Sequence, residues 1–195
     1  MSRLQPGQIA PTFDAVDVQG RPVLLRDLRG RKVHLSFFRN AACPLCNLRY
    51  FQLGDRIHEW TEKNLVSLAV FESPAETIQR NLRDLAAPLP LIADPDRQLY
   101  VLYGLETSWR RNVASFFFPV TYLRGATAYA KGLVRTPIEK GDTLERLPAE
   151  FLIDENGVIQ RALYGGWMGH FLPFSVIEDF VQRSAEGPGS IPHPA

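Results

Sequence analysis

The chain has 195 residues, 45% of them hydrophobic, and its 22 basic and 21 acidic side chains leave it almost neutral. At a prior of about 150 residues per domain, that length suits one well-filled core with elaborations rather than two independent domains. The apolar runs are too short to span a bilayer, and no Lys/Arg block is dense enough to suggest a nucleic-acid track or an anionic membrane surface, so neither partner is expected. The opening MSRLQPGQIAPTF lacks a basic n-region followed by an apolar h-region, which makes the cytoplasm the expected location.

Residues 6 to 38 alternate turn signals with β-rich segments, ending in a buried-strand candidate at Lys32 to Phe38. Pro44 to Trp60 then places Tyr50, Leu53, Ile57 and Trp60 at intervals of three and four, one face of an amphipathic helix with Asn47, Arg49, Asp55 and Glu59 elsewhere. Leu65 to Phe71 reads as a second buried strand. Ser73-Pro74 supplies a cap and a first-turn proline for a helix striped by Ile78, Leu82 and Leu85. A short strand at Pro90 to Ala93 and a capped helix within Asp94 to Tyr103 complete a βαβ pattern.

Gly104 to Leu147 is the least regular stretch and reads as an insertion with partial helix. Order returns in two strands, Ala149 to Asp154 and Val158 to Tyr164, joined by Glu155-Asn156-Gly157, where Asn-Gly is a strong hairpin signal. A last helix carries Phe174, Ile177 and Val181 on one face. From Ser184 the Gly/Pro/Ser-rich tail is expected to be flexible, leaving one domain over residues 1–183.

Both cysteines, Cys43 and Cys46, lie in RNAACPLCNLR. A strand ending near Phe38 and a helix starting near Pro44 put Cys43 at a helix N-terminus, where free N–H groups and the helix dipole favour the thiolate. Cys46 lies one turn on, within reach for a disulfide. A closed zinc site needs four ligands, and His34, His58, His170 and His193 offer no finger-type spacing, so no metal is expected. A Cys-x-x-Cys near a βαβ pattern is instead a redox signature, although two inert core cysteines are the bland alternative. Pro148, immediately before a strand, is the candidate for a cis bond close to the helix terminus, with Pro119, before Val-Thr-Tyr, as a decoy.

Together these residues resemble the thioredoxin superfamily, in its peroxiredoxin-like branch that includes the alkyl hydroperoxide reductase/thiol-specific antioxidant (AhpC/TSA) group. PGQIAPTFDAVDVQGRPVLLRDLRGRKVHLSFFR is similar to that branch's N-terminal extension, CPLCNLR falls at its redox centre, and LPAEFLIDENGVI is similar to its cis-proline strand and hairpin. YVLYGLETSW further resembles the peroxiredoxin-like 2 (selenoprotein L-like) subgroup. The resemblance implies an α/β thioredoxin fold, a central mixed sheet flanked by helices, with an N-terminal extension and an insertion at about 104–147 before the cis-proline strand. It implies Cys43 as the attacking thiol, Cys46 as the resolving thiol, Pro148 as the cis-proline and a substrate-pairing backbone at Leu147.

True peroxiredoxins carry Pro and Thr or Ser seven and three residues before the attacking cysteine, where this chain has Ser36 and Asn40, and their later arginine is replaced by Pro148. Asn40 and Arg39, an amide donor and a positive charge, are the substitutes at hand for binding substrate. The leading expectation is therefore a thiol-disulfide oxidoreductase without bound cofactor, recycled by an external thiol reductant of the thioredoxin or glutathione type. A two-cysteine peroxidase acting on hydrogen peroxide or alkyl hydroperoxides is the alternative, and a redox-inert or zinc-holding module the third. Glu72 and Glu150 are candidate proton acceptors that read more readily as solvated strand-end charges, and His34 as a packed strand residue.

Overall fold

The computed structural model describes residues 2–82, 89–137, 143 and 145–183. Leu85, residues 138–142 and 144 of the insertion, and the tail from Ser184 lie outside the described residues. No described helix is long and apolar enough to cross a membrane.

A hairpin of β1 (Asp14–Val16) and β2 (Pro22–Leu24) precedes a five-stranded sheet. That sheet is built from β3 (Lys32–Phe37), β4 (Leu65–Phe71), β5 (Leu91–Ala93), β6 (Ala149–Ile153) and β7 (Ile159–Tyr164), in the order β5-β4-β3-β6-β7. β3, β4 and β5 run parallel, and β6 and β7 are antiparallel. The helices are α1 (Pro44–Glu62), α2 (Ala75–Leu82), α3 (Gln98–Leu102), α4 (Trp109–Ser115), α5 (Pro119–Ala130) and α6 (Phe174–Gln182). This is the mixed α/β sheet flanked by helices that the resemblance implies.

Every residue of β3 is buried, as expected of a central strand covered on both faces. Val33, Leu35 and Phe37 join Leu68, Val70, Phe151 and Tyr100 in one core, toward α3 and the N-terminal extension. The opposite core gathers Tyr50, Leu53, Ile57 and Trp60 of α1 with Ile78, Phe71 and Ile177. The period-two alternation of a strand turns His34, Ser36, Ser67 and Glu150 toward that second side, beneath α1.

The insertion holds more helix than its irregular sequence suggests. Pro119 stands at the first turn of α5 rather than before a strand, because its missing N–H costs nothing there. Ala128 and Leu133 pack against Leu48, seating this element against α1.

Candidate active site

Cys43 is the N-cap of α1, with extended backbone (φ −74°, ψ 115°) and Pro44 following it inside the first turn. Its sulfur takes the role that a capping oxygen would fill, accepting from the Cys46 N–H at 3.4 Å. Arg39 Nη2 donates to the same sulfur at 3.3 Å. Both cysteines are free thiols, each 1% exposed.

The two thiols diverge in acidity. The Cys46 side-chain hydrogen bond pulls Cys43 down, burial opposes this, and the Arg39 charge and hydrogen bond add to the lowering, so that Cys43 falls to about 5. Burial pushes Cys46 well up, reinforced by its hydrogen bond to Cys43 and by the charge there. The pair thus combines one thiol shifted toward the thiolate with a second held toward the protonated form. Arg39, although desolvated, has its pKa raised by the two cysteines and stays charged.

Backbone hydrogen bonds hold the loop that sets this geometry. Phe38 N–H donates to Val70 O (2.8 Å), Glu72 N–H to Arg39 O (3.0 Å), and Cys43 N–H to Asn40 O (3.1 Å). Tyr100 OH donates to Phe38 O at 2.6 Å and to Val70 O at 3.1 Å. Ser73, expected as a helix cap, accepts from Ala41 N–H at 2.9 Å and so ties the end of β4 to the cysteine loop. Asn47 Nδ2 donates to Ala41 O and to Leu133 O, at 2.9 and 2.8 Å. Its burial corrects the expected polar exterior of α1.

Arg49 departs from that expectation for a second reason. Its guanidinium donates to both oxygens of Glu150 at 3.0 Å and to Leu172 O at 2.8 Å, and it lies over the Phe174 ring at 4.1 Å. Glu150 also accepts from Ser36 Oγ (3.3 Å) and Leu172 N–H (2.6 Å). Burial acts to raise its pKa, but Arg49 and His34 overcome this and hold it near 2. Glu150 is therefore a buried anion, not a solvated strand-end charge. The signal that points to Arg49 is its place three residues after Cys46, on the helix face that also buries Tyr50 and Leu53, whereas nothing local marks Glu150.

Glu72 is likewise buried, between Arg97 (Nε to Oε2, 2.9 Å) and Arg146 (Nε to Oε1, 3.3 Å). Burial raises its pKa against the pull of Arg146 and Arg97. His34 is a packed strand residue as expected, its ring between Ser67 Oγ (3.3 Å) and Ser36 Oγ (3.0 Å).

The remaining expected site residues divide. Asn40 is fully buried, but its amide donates to Thr143 O at 3.4 Å, turning it toward the insertion. Leu147 and Pro148 precede β6, whose Ala149 pairs with Phe37. The bond before Pro148 is trans, as are the peptide bonds throughout the described chain, which corrects the cis-proline expectation. Pro148 O accepts from Gly165 N–H at 2.8 Å, so the proline continues the β6–β7 pairing by one hydrogen bond with the trans form that peptide bonds ordinarily prefer. Both Leu147 and Pro148 line a shallow cleft with Arg3, Leu105 and Tyr164.

A relative from Mycobacterium tuberculosis whose name carries the word peroxiredoxin is 30% identical over 103 residues, 53% of this chain and 66% of its own, so the chain spans just under two thirds of that relative's length. Peroxiredoxin Bcp of Escherichia coli is 28% identical over 105 residues, 54% of this chain and 67% of the relative. Among solved structures, Peroxidoxin BcpB from Mycobacterium tuberculosis superposes with a TM-score of 0.64 at 15% identity, covering 93% of this chain and 100% of that one. The thioredoxin domain of a thiol-disulfide oxidoreductase from Bacteroides vulgatus gives 0.56 at 19% identity, covering 92% and 99%. These neighbours share the fold, and the AhpC/TSA family model matches residues 6–162, so the chain belongs to the AhpC/TSA family.

Proposed function

We propose that this protein is a two-cysteine thiol peroxidase in which Cys43 is oxidised by a small hydroperoxide and Cys46 resolves the product. The observation that carries the reading is the Arg39 guanidinium on the Cys43 sulfur inside a closed site. It supplies a cationic donor where the peroxiredoxin Thr and Arg are absent, and near-complete burial favours a small oxidant over a folded disulfide-bearing protein.

In the first step the Cys43 thiolate attacks the terminal peroxide oxygen. The O–O bond breaks, an S–O bond forms, and the alkoxide leaves as alcohol after taking one proton from solvent. Arg39 stabilises the charge passing from sulfur to oxygen. The Cys46 thiol then attacks the Cys43 sulfenic acid, forming the Cys43–Cys46 disulfide and releasing water. Two equivalents of an external thiol, of the thioredoxin or glutathione type, return both cysteines to thiols by exchange. The reducing cytoplasm fits a resting state with both thiols free, and one domain over residues 1–183 carries the chemistry.

Disulfide exchange is the second reading, favoured by the separation in acidity between a thiolate Cys43 and a protonated Cys46 one helical turn apart. Hydroperoxide consumption with thiol recycling separates the two. Loss of peroxide well above a Cys43→Ser control is the expected result. Peroxide loss no faster than that control, with a model disulfide still reduced, would remove the peroxidase and leave exchange.

A further inference from the structure

The charges buried around the cysteines also govern the step after peroxide reduction, the return of the disulfide to thiols. Arg39 is buried, and its Nη2 lies 3.3 Å from the Cys43 sulfur. Burial works against the charge on this guanidinium; Cys43 and Cys46 come first among the groups that restore it, and Glu72 follows. Glu72 is itself already engaged, with Arg97 Nε 2.9 Å and Arg146 Nη2 3.3 Å from one of its oxygens and Arg146 Nε 3.3 Å from the other. A Cys43–Cys46 disulfide carries no charge. Oxidation therefore takes from a buried arginine its foremost counter-charge, at a cost that falls on the disulfide form alone. The dithiol form is favoured by the same amount.

Resting on the reading of Cys43 and Cys46 as attacking and resolving thiols, we propose that Arg39 poises their disulfide for reduction by a monothiol of the glutathione class, with no dithiol protein required. A dithiol donor closes its own ring, and that intramolecular step drives exchange forward. A monothiol must act twice, so it succeeds where the equilibrium already favours the protein's thiols. The first monothiol forms an S–S bond to Cys43 as the Cys43–Cys46 bond breaks, and Cys46 leaves and takes a proton. The second attacks the small thiol's own sulfur in that mixed disulfide, and Cys43 leaves with the electron pair as thiolate beside Arg39. Two monothiols become one small disulfide, two electrons reach the protein, and one of the two thiol protons goes to solvent.

That released proton gives the proposal a pH signature. Above the folded pKa of Cys43, about 5, and below that of a free thiol, about 8.5, the equilibrium constant for reduction should rise about tenfold per pH unit. Only a group whose proton affinity differs between the two redox forms alters this slope. The charged and titratable neighbours are Arg39 in the loop, Cys46 in α1, Glu72 at the end of β4 with Arg97 and Arg146, and Tyr100 on α3, with Arg49, Glu150 and His34 beneath α1. Burial keeps Tyr100 protonated and Arg49 with His34 keeps Glu150 ionised throughout the window. Glu72, coupled to Arg39, is the carboxylate to control for.

The test equilibrates the full chain with mixtures of reduced and oxidised glutathione between about pH 5.5 and 8, quenches in acid, and counts alkylated thiols by intact mass after denaturation. In about 5 mM reduced glutathione carrying about 1% of its disulfide at pH 7, wild type should be mostly dithiol. Arg39→Gln should lower the constant at pH 7 by about ten- to fiftyfold, which corresponds to a loss of one to two pKa units at Cys43, and should leave it level up to about pH 6. Glu72→Gln should raise it by about threefold or more, because it removes a charge that opposes the thiolate and supports Arg39 in the disulfide form. Circular dichroism checks that each variant is folded, and the wild-type slope with Arg39→Gln decides the matter if Glu72→Gln is not. A wild type that stays mostly disulfide in that buffer would overturn the proposal in favour of a low-potential dithiol donor. A wild-type constant that does not change with pH would overturn it too, as would equal falls in both folded variants, which loosening of the loop would give. Glutathione disulfide forms the protein disulfide here and no peroxide is used, so failure of this equilibrium is distinct from failure to consume peroxide.

Discussion

Replacing Arg39 with Gln keeps much of the side-chain volume but removes the charge 3.3 Å from the Cys43 sulfur. A hydrogen bond to a charged group contributes about 1.5–3 kcal/mol. At about 1.4 kcal/mol per pKa unit, its loss should raise Cys43 by about one to two units. Starting from about 5, the variant should titrate near 6 to 7, because the Cys46 hydrogen bond, the largest cause of the lowering, remains. Thiolate is favoured as pH rises through the folded pKa, so at pH 6 wild-type Cys43 should be mostly ionised and the variant at most about half so. Ultraviolet thiolate absorbance against pH reads this directly, since Cys46, pushed upward by burial, stays silent through that window. A midpoint unmoved in Arg39→Gln would refute the claim that the guanidinium stabilises the thiolate.

The Glu150 carboxylate should govern the acid limb of stability. Its pKa is lowered from 4.5 to about 2 in the folded protein, so its contribution, about 3 kcal/mol, is present above pH 4.5 and lost as pH falls toward 2. Denaturant titrations at a series of pH values should show that loss in the wild type and a flatter acid limb in Glu150→Gln. At neutral pH the variant should be less stable by about 3–5 kcal/mol, since Arg49 is left as a buried unpaired charge. An equal acid slope in both proteins would contradict the pairing. Ser73→Ala strands the Ala41 N–H and should cost about 1–3 kcal/mol. It should also speed Cys43 alkylation by loosening the loop, and an alkylation rate equal to wild type would show that Ser73 does not hold it.

Much of this site is legible in the sequence because its signals are local. Pro44 marks the helix start, and the capping position of Cys43 follows from it; the alternation and length of β3 and β4 announce buried strands. What stays hidden depends on partners distant in the chain. Arg49 reads as surface until Glu150, 101 residues away, is brought beneath α1, and the strand that carries Glu150 shows no sign of a buried charge. Ser73 resembles a helix cap because the competing Ala41 N–H comes from another loop. Pro148 has the sequence context of a cis bond, yet the ladder to Gly165 accommodates the trans form. The helices of the insertion were obscured by Pro119 and by aromatic residues that suit a strand but here face solvent.

The central claim is that Cys43 attacks and Cys46 resolves. Intact-mass and thiol analysis after one equivalent of hydrogen peroxide tests it most directly. Wild type should lose two hydrogens and both free thiols, whereas Cys46→Ser should hold a sulfenic acid at Cys43 that a dimedone probe captures. Capture at Cys46 in a Cys43→Ser variant, or a wild-type protein that keeps both thiols and its full mass, would contradict the account.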